Sequence, residues 1–149
     1  MEEYSSLEEK IGIKFQNSEL LRIAFTHKSY INEHRDKELT HNERLEFLGD
    51  AVLELVATRH LFSNYPKQNE GEMTSFRSAL VKGKHLAEIA FELELGQYLF
   101  LSRGEEKSGG RTKNYILANT LEALIGAIYL DIGYEAAEQV ISIFILNRL

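Results

Sequence analysis

Apolar residues recur at three- and four-residue intervals through most of the chain, the spacing of helices that each bury one side. With one proline in 149 residues the pattern is seldom interrupted, and an all-α fold is expected. A short first helix is expected after the capping boxes Ser5-x-x-Glu8 and Ser6-x-x-Glu9, closing at Gly12. Asn17 or Ser18 caps a second, whose apolar side is Leu20, Leu21, Ile23, Ala24 and Phe25. Thr26 to Tyr30 leads into a polar connection ending near His41, where His34, Arg35, Asp36, Lys37 and Glu38 read as an exposed loop or short helix. A long helix follows from about Asn42 to Phe62, stopped by Asn64-Tyr65-Pro66.

Beyond it, Gly71 to Val81 reads as a helix with Met73, Phe76 and Leu80 inward, and Gly83 breaks the pattern. Lys84 to Leu93 resumes it through Leu86, Ile89, Ala90 and Leu93, with Gly96 as the stop. Tyr98-Leu99-Phe100-Leu101 reads as a docked apolar turn, and Ser102 to Asn114, carrying Gly104, Gly109 and Gly110, as a mobile basic loop. An almost wholly apolar helix spans about Tyr115 to Asp131, and after Gly133 a last one runs from Tyr134 to Leu149. No internal repeat divides the chain, so residues 1–149 are read as one domain.

Two of these helices carry acids where apolar side chains dominate. On the long helix Glu43, Glu46, Asp50 and Glu54 fall on one side, with Leu45, Leu48, Val52, Leu55 and Val56 expected opposite. A solvated acidic face would explain that helix alone. Glu122 is harder to explain, because it lies inside the apolar run from Ile116 to Leu130. Burying an unpartnered carboxylate costs several kcal/mol, on the scale of a domain's whole stability. Taken singly, Glu122 is most simply compensated by an Arg or Lys; a second acid-bearing helix turns the preference toward a shared cation.

Composition bounds the reading. Hydrophobic residues are 44% and charged residues 27%, the balance of a globular protein with a proper core. Cysteine is absent, which excludes disulfides and thiolate metal sites and is consistent with a cytoplasmic setting. The N-terminus lacks a secretory pattern, the run from Ile116 to Leu130 is judged too short to span a bilayer, and no membrane role is expected. The five histidines, at 27, 34, 41, 60 and 85, lack zinc spacing, and His27 would bond RNA or satisfy a turn. A net charge of −6 argues by itself against a nucleic-acid binder, unless the acids gather around divalent cations and become attractive to phosphate.

Asn42-Glu43-Arg44-Leu45-Glu46-Phe47-Leu48-Gly49-Asp50 resembles the signature of the ribonuclease III family, bacterial enzymes that cut double-stranded RNA with magnesium. Thr26-His27-Lys28-Ser29-Tyr30, Asn69-Glu70-Gly71-Glu72-Met73, and Ile116-Leu117-Ala118 through Glu122-Ala123-Leu124-Ile125-Gly126-Ala127 resemble further blocks of that family, in the same order. The resemblance implies the family's helical endonuclease-domain fold, working as a two-fold homodimer. It also implies Mg²⁺, for which Mn²⁺ substitutes, held by Glu46, Asp50, Asn119 and Glu122, with Asp50 and Glu122 catalytic. Glu43 and Glu70 match acidic positions lining the same valley, where they would order water around the ion or place RNA; for each, a solvated surface glutamate is the alternative.

Phe47 would insert into a pocket on a second copy, the alternative being a Phe buried in its own subunit. Lys107, Arg111 and Lys113, with Arg77, Lys82 and Lys84, are candidate phosphate contacts that would otherwise be ordinary solvated cations. The resemblance further implies a staggered cut leaving 5′ phosphates and short 3′ overhangs, in rRNA or mRNA processing. Two features depart from it. Asn119 stands where the family's best-known members carry Asp, so a more metal-demanding enzyme is expected, or alternatively a dimer that binds duplex RNA with little cleavage. The family's full-length bacterial enzymes continue into a double-stranded-RNA-binding domain where this chain stops at Leu149, so weak RNA binding and cleavage best at low salt are expected.

Overall fold

The computed structural model describes residues 2–34 and 40–148. Among them are nine α-helices: α1 (Ser5–Ile11), α2 (Ser18–Ala24), α3 (Lys28–His34), α4 (Glu43–Asn64), α5 (Glu70–Leu80), α6 (Gly83–Glu92), α7 (Arg103–Lys107), α8 (Asn114–Ile132) and α9 (Tyr134–Phe144), joined by short 3₁₀ turns. The expected all-α fold is observed. The polar connection read over His34 to Glu38 lies, from Arg35 onward, outside the described residues.

Helix α8 is the axis of the fold. Ile116, Leu117, Leu121, Leu124, Ile125 and Ile128 are all buried, and α4, α6, α9 and α2 pack around it. Each such side chain removed from water contributes roughly 1.5–3 kcal/mol, so the wall around α8 dominates the stability of the chain. By length and composition this 19-residue helix does pass for a membrane span, contrary to the expectation that the run is too short. Most of it is buried inside the fold, as in the core helix of a folded domain.

The α4–α8 contact is the most extensive in the molecule, and two glycines set its depth. A Cβ on Gly49 would stand 1.7 Å from the Glu122 carbonyl oxygen, and one on Gly126 2.3 Å from that of Leu45. The backbones therefore touch where only hydrogen fits between them. At about 100° per residue, the buried side of α4 centres on Gly49 with Leu45, Val52, Leu53 and Val56. Leu55, expected on that side, is turned outward and exposed, because the buried side is centred on Gly49.

Several local expectations are corrected. Neither serine box forms: Tyr4 precedes α1 without a side-chain cap, and the Glu8 carboxylate accepts from the Phe15 amide at 2.8 Å instead. Gly12, in a left-handed conformation, does end α1, and Asn17 does cap α2. Gly96 does not stop α6, which closes at Leu93 and Glu94; Gly96 lies one turn on, where the carbonyl of Arg111 leaves no room for a side chain. The last helix ends at Phe144, short of its expected reach, and a 3₁₀ turn follows.

The stretch from Ser102 to Asn114 is not a mobile basic loop. Ser102 caps α7 by accepting from the Glu105 amide at 3.0 Å, and Arg111 donates to the carbonyls of Gly96 and Leu99, each at 2.8 Å, while pairing with Glu106. Lys113 binds Glu105. Glycine and charge suggested looseness; the charges are opposite and close the segment on itself. The apolar run before it docks as an extended segment, with the Phe100 amide donating to the Phe25 carbonyl at 2.8 Å and the His27 amide donating back to the Phe100 carbonyl at 3.1 Å.

Candidate metal and active site

The first turn of α4 is held from behind. Asn42, buried, donates from its amide to the Thr26 carbonyl and from its side chain to the Ala24 carbonyl, both at 3.0 Å. That turn carries Glu46, and Asp50 and Glu54 follow at four-residue steps, all three acting on Glu122 of α8. Because Gly49 lies on the Glu122 backbone, the Asp50 and Glu122 side chains meet beside the contact.

Glu122 is pushed up to about 8, first by burial, then by its hydrogen bond to Asp50 and the charges of Asp50, Glu46 and Glu54. Every one of those influences favours the neutral acid, so near pH 7 Glu122 holds a proton and donates it to the Asp50 carboxylate. Burial also raises Glu46, helped by Glu43 and Asp50 and opposed by Lys28. No ion pair reaches Glu122 among the described residues, so the Arg or Lys compensator is absent there. What stands in its place is a proton.

Asp50, Glu122 and Glu46 are thus brought together. Asn119, half-buried, sits one turn before Glu122 on α8. Glu43 is exposed and 3.8 Å from the His41 imidazole. Glu70 is elsewhere: it lines a cavity of about 240 Å³ between α4 and α5 with Thr58, Leu61, Phe62, Met73, Thr74 and Arg77. Within one chain it does not join the acidic cluster. Glu54, which had no role in the expected site, acts on Glu122 and pairs with Arg77 at 3.9 Å; its signal was the four-residue step from Asp50.

Among the described residues no three acidic or imidazole side chains stand close enough to grip an ion as they are. The donor set nonetheless fits magnesium, which accepts hard oxygens, binds through one or two carboxylates and keeps several waters. Asp50 and Glu122 supply that pair once their shared proton leaves, and a protonated acid wedged against a carboxylate is the arrangement that a divalent cation relieves.

Phe47 is 82% exposed, which excludes burial in its own subunit. It borders a groove of about 540 Å³ with Leu20, Ile23, Leu45, Leu48 and Leu130. Of the candidate phosphate contacts, Arg111 and Lys113 are occupied by internal partners and Arg77 bonds Thr58, whereas Lys107 is exposed on α7.

Comparison with known proteins bears on the fold and the family. Ribonuclease 3 of Bacillus velezensis is 45% identical over 149 residues, all of this chain and 60% of that protein. The chain therefore spans about three fifths of the length of the curated relatives it matches. Two solved structures of the nuclease domain of ribonuclease III from Campylobacter jejuni are each 42% identical; one, a crystal structure, superposes with a TM-score of 0.89 over 100% of this chain and 97% of that one. The other, described for structural flexibility in a region involved in dimer formation, gives 0.88 over 97% and 96%. A family model described as Ribonuclease-III-like matches residues 17–149, and the chain belongs to that family.

Proposed function

We propose that this chain is the nuclease part of a magnesium-dependent endoribonuclease acting on double-stranded RNA. The observation that carries the reading is the meeting of the Asp50 side chain with the desolvated Glu122 carboxyl, beside Glu46 at the α4–α8 crossing. Bound there, a divalent ion supplies a Lewis acid that makes water nucleophilic near neutral pH and offsets charge on the departing oxygen. Asp50 and Glu122 would hold it, with Glu46 and the Asn119 carbonyl completing the oxygen donors. Asn119 brings no charge, so occupancy requires more metal than an aspartate there would.

Phe47 supports a dimer. A phenylalanine this exposed on a rigid helix is costly on a lone subunit and is relieved by a self-complementary contact. In a two-fold pair each acidic cluster addresses one strand, giving a staggered cut with 5′ phosphates and short 3′ overhangs, as suits rRNA and mRNA maturation. A partner also gives Glu70 and Glu43 a place: supplied from the edges of the paired clusters, they would order water or RNA. Duplex RNA is read by shape and 2′-hydroxyls rather than sequence.

The test is an end-labelled RNA duplex incubated with Mg²⁺, with Mn²⁺ or with chelator. Metal-dependent fragments bearing 5′ phosphates support the enzyme. Retention of intact duplex under all three conditions supports the binding dimer instead.

A further inference from the structure

We infer that Lys28 is a phosphate-binding residue of this site, contacting the RNA backbone beside the acidic cluster; the inference rests on the reading of duplex RNA as substrate. Lys28 opens α3, immediately after the corner that Asn42 fastens to the start of α4. That corner is held on both flanks. Asn42 binds Thr26 and Ala24 from one side, and Phe100 exchanges backbone bonds with Phe25 and His27 from the other.

The neighbours of Lys28 face inward. The His27 Nδ1 accepts from the Ser29 amide at 3.2 Å and lies 2.8 Å from the Ser29 hydroxyl, which in turn accepts from the Ser102 amide at 3.0 Å. Accepting from the Ser29 amide requires Nδ1 to carry no proton, in line with the lowering that burial imposes on His27. Between two anchored residues, Lys28 is exposed. The Thr26 carbonyl, two residues before it, accepts from the Asn42 amide, and the Asn42 carbonyl accepts from the Glu46 amide, which sets the start of α3 beside the acid-bearing first turn of α4.

Three cations on the segment that flanks this corner have protein partners: Arg103 has Glu33, Arg111 has Glu106 and Lys113 has Glu105. No carboxylate lies within ion-pairing distance of Lys28 among the described residues. A cation held on a fixed corner, unpaired and next to carboxylates, is suited to an anion that must approach those carboxylates. A phosphate of the duplex is such an anion, and a net charge of −6 makes a local positive contact more necessary.

Binding of a fluorescent RNA duplex is measured against salt concentration for the unmodified chain, Lys28→Ala, Lys28→Arg and Lys14→Ala, the last an exposed control of equal charge change. Loss of one phosphate contact makes the plot of log K against log salt less steep by about one for Lys28→Ala. In cleavage, KM rises roughly fivefold with kcat within about twofold, the pattern of lost uniform binding. Lys28→Arg restores both, and Lys14→Ala alters neither. An unchanged slope and KM in Lys28→Ala overturns the inference while leaving the nuclease reading intact, as does an equal loss in Lys14→Ala. If the unmodified chain neither binds nor cuts duplex RNA, the proposed function falls and the inference with it.

Discussion

Gly49 lies directly against the backbone of Glu122, so close that a Cβ would come within 1.7 Å of the Glu122 carbonyl oxygen. The same contact that closes the core also places Asp50, the residue after Gly49, on the Glu122 side chain. Gly49→Ala must therefore push α4 away from α8. Overpacking against backbone costs at least about 1–3 kcal/mol, so a fall of several degrees in Tm is expected, with cleavage lost at temperatures where the variant is still folded. Thermal unfolding followed by circular dichroism, with a cleavage assay alongside, checks both. An unchanged Tm would mean that the helices do not approach this closely.

The proton between Asp50 and Glu122 makes stability depend on pH. Glu122 is raised in the folded state from 4.5 to about 8, so the folded chain binds more protons than the unfolded one between those values. Its stabilising effect is fully present below the unfolded value and is lost as pH rises through about 8. Without metal, the chain should melt lower at pH 8.5 than at pH 6, and Glu122→Gln, which cannot ionise, should remove much of that slope. Melting curves over this range in chelator decide it; equal slopes in the two proteins would contradict the burial of Glu122.

Asn119 tests the charge of the site. Replacing it by aspartate adds an anionic oxygen one turn before Glu122, and the Mg²⁺ concentration giving half-maximal cleavage should fall roughly tenfold, about 1.4 kcal/mol. A magnesium titration of the cleavage rate measures this. Identical titrations would show that residue 119 does not face the ion.

Phe47→Ala should convert a dimer into a species sedimenting as a monomer at micromolar concentration, since a large side chain 82% exposed on one subunit is the natural centre of a contact. Sedimentation velocity reads the outcome. A variant that remains dimeric would assign the contact to other residues.

The expected helices, the two acid-bearing segments and the exposure of Phe47 were legible because periodicity and charge are local properties of a sequence. Glu122 without a basic partner was legible only as a conflict, an acid in an apolar run, whose resolution needed α4 alongside. The turned face of α4 was not legible: Leu48 and Leu55 look like core residues until Gly49 is seen to be the point of contact. Arg111 and Lys113 show the opposite limit. Their carboxylate partners, Glu106 and Glu105, sit in the same short segment, and only the fold shows that these charges pair there.

Magnesium titration by isothermal calorimetry, repeated near pH 7 in buffers of different ionisation enthalpy, most directly tests whether α4 and α8 converge on a divalent cation. The expected result is release of about one proton per site as Glu122 gives up its hydrogen to bind, and no such release in Glu122→Gln. Magnesium binding with no proton released, or with equal affinity in Glu122→Gln, would contradict it.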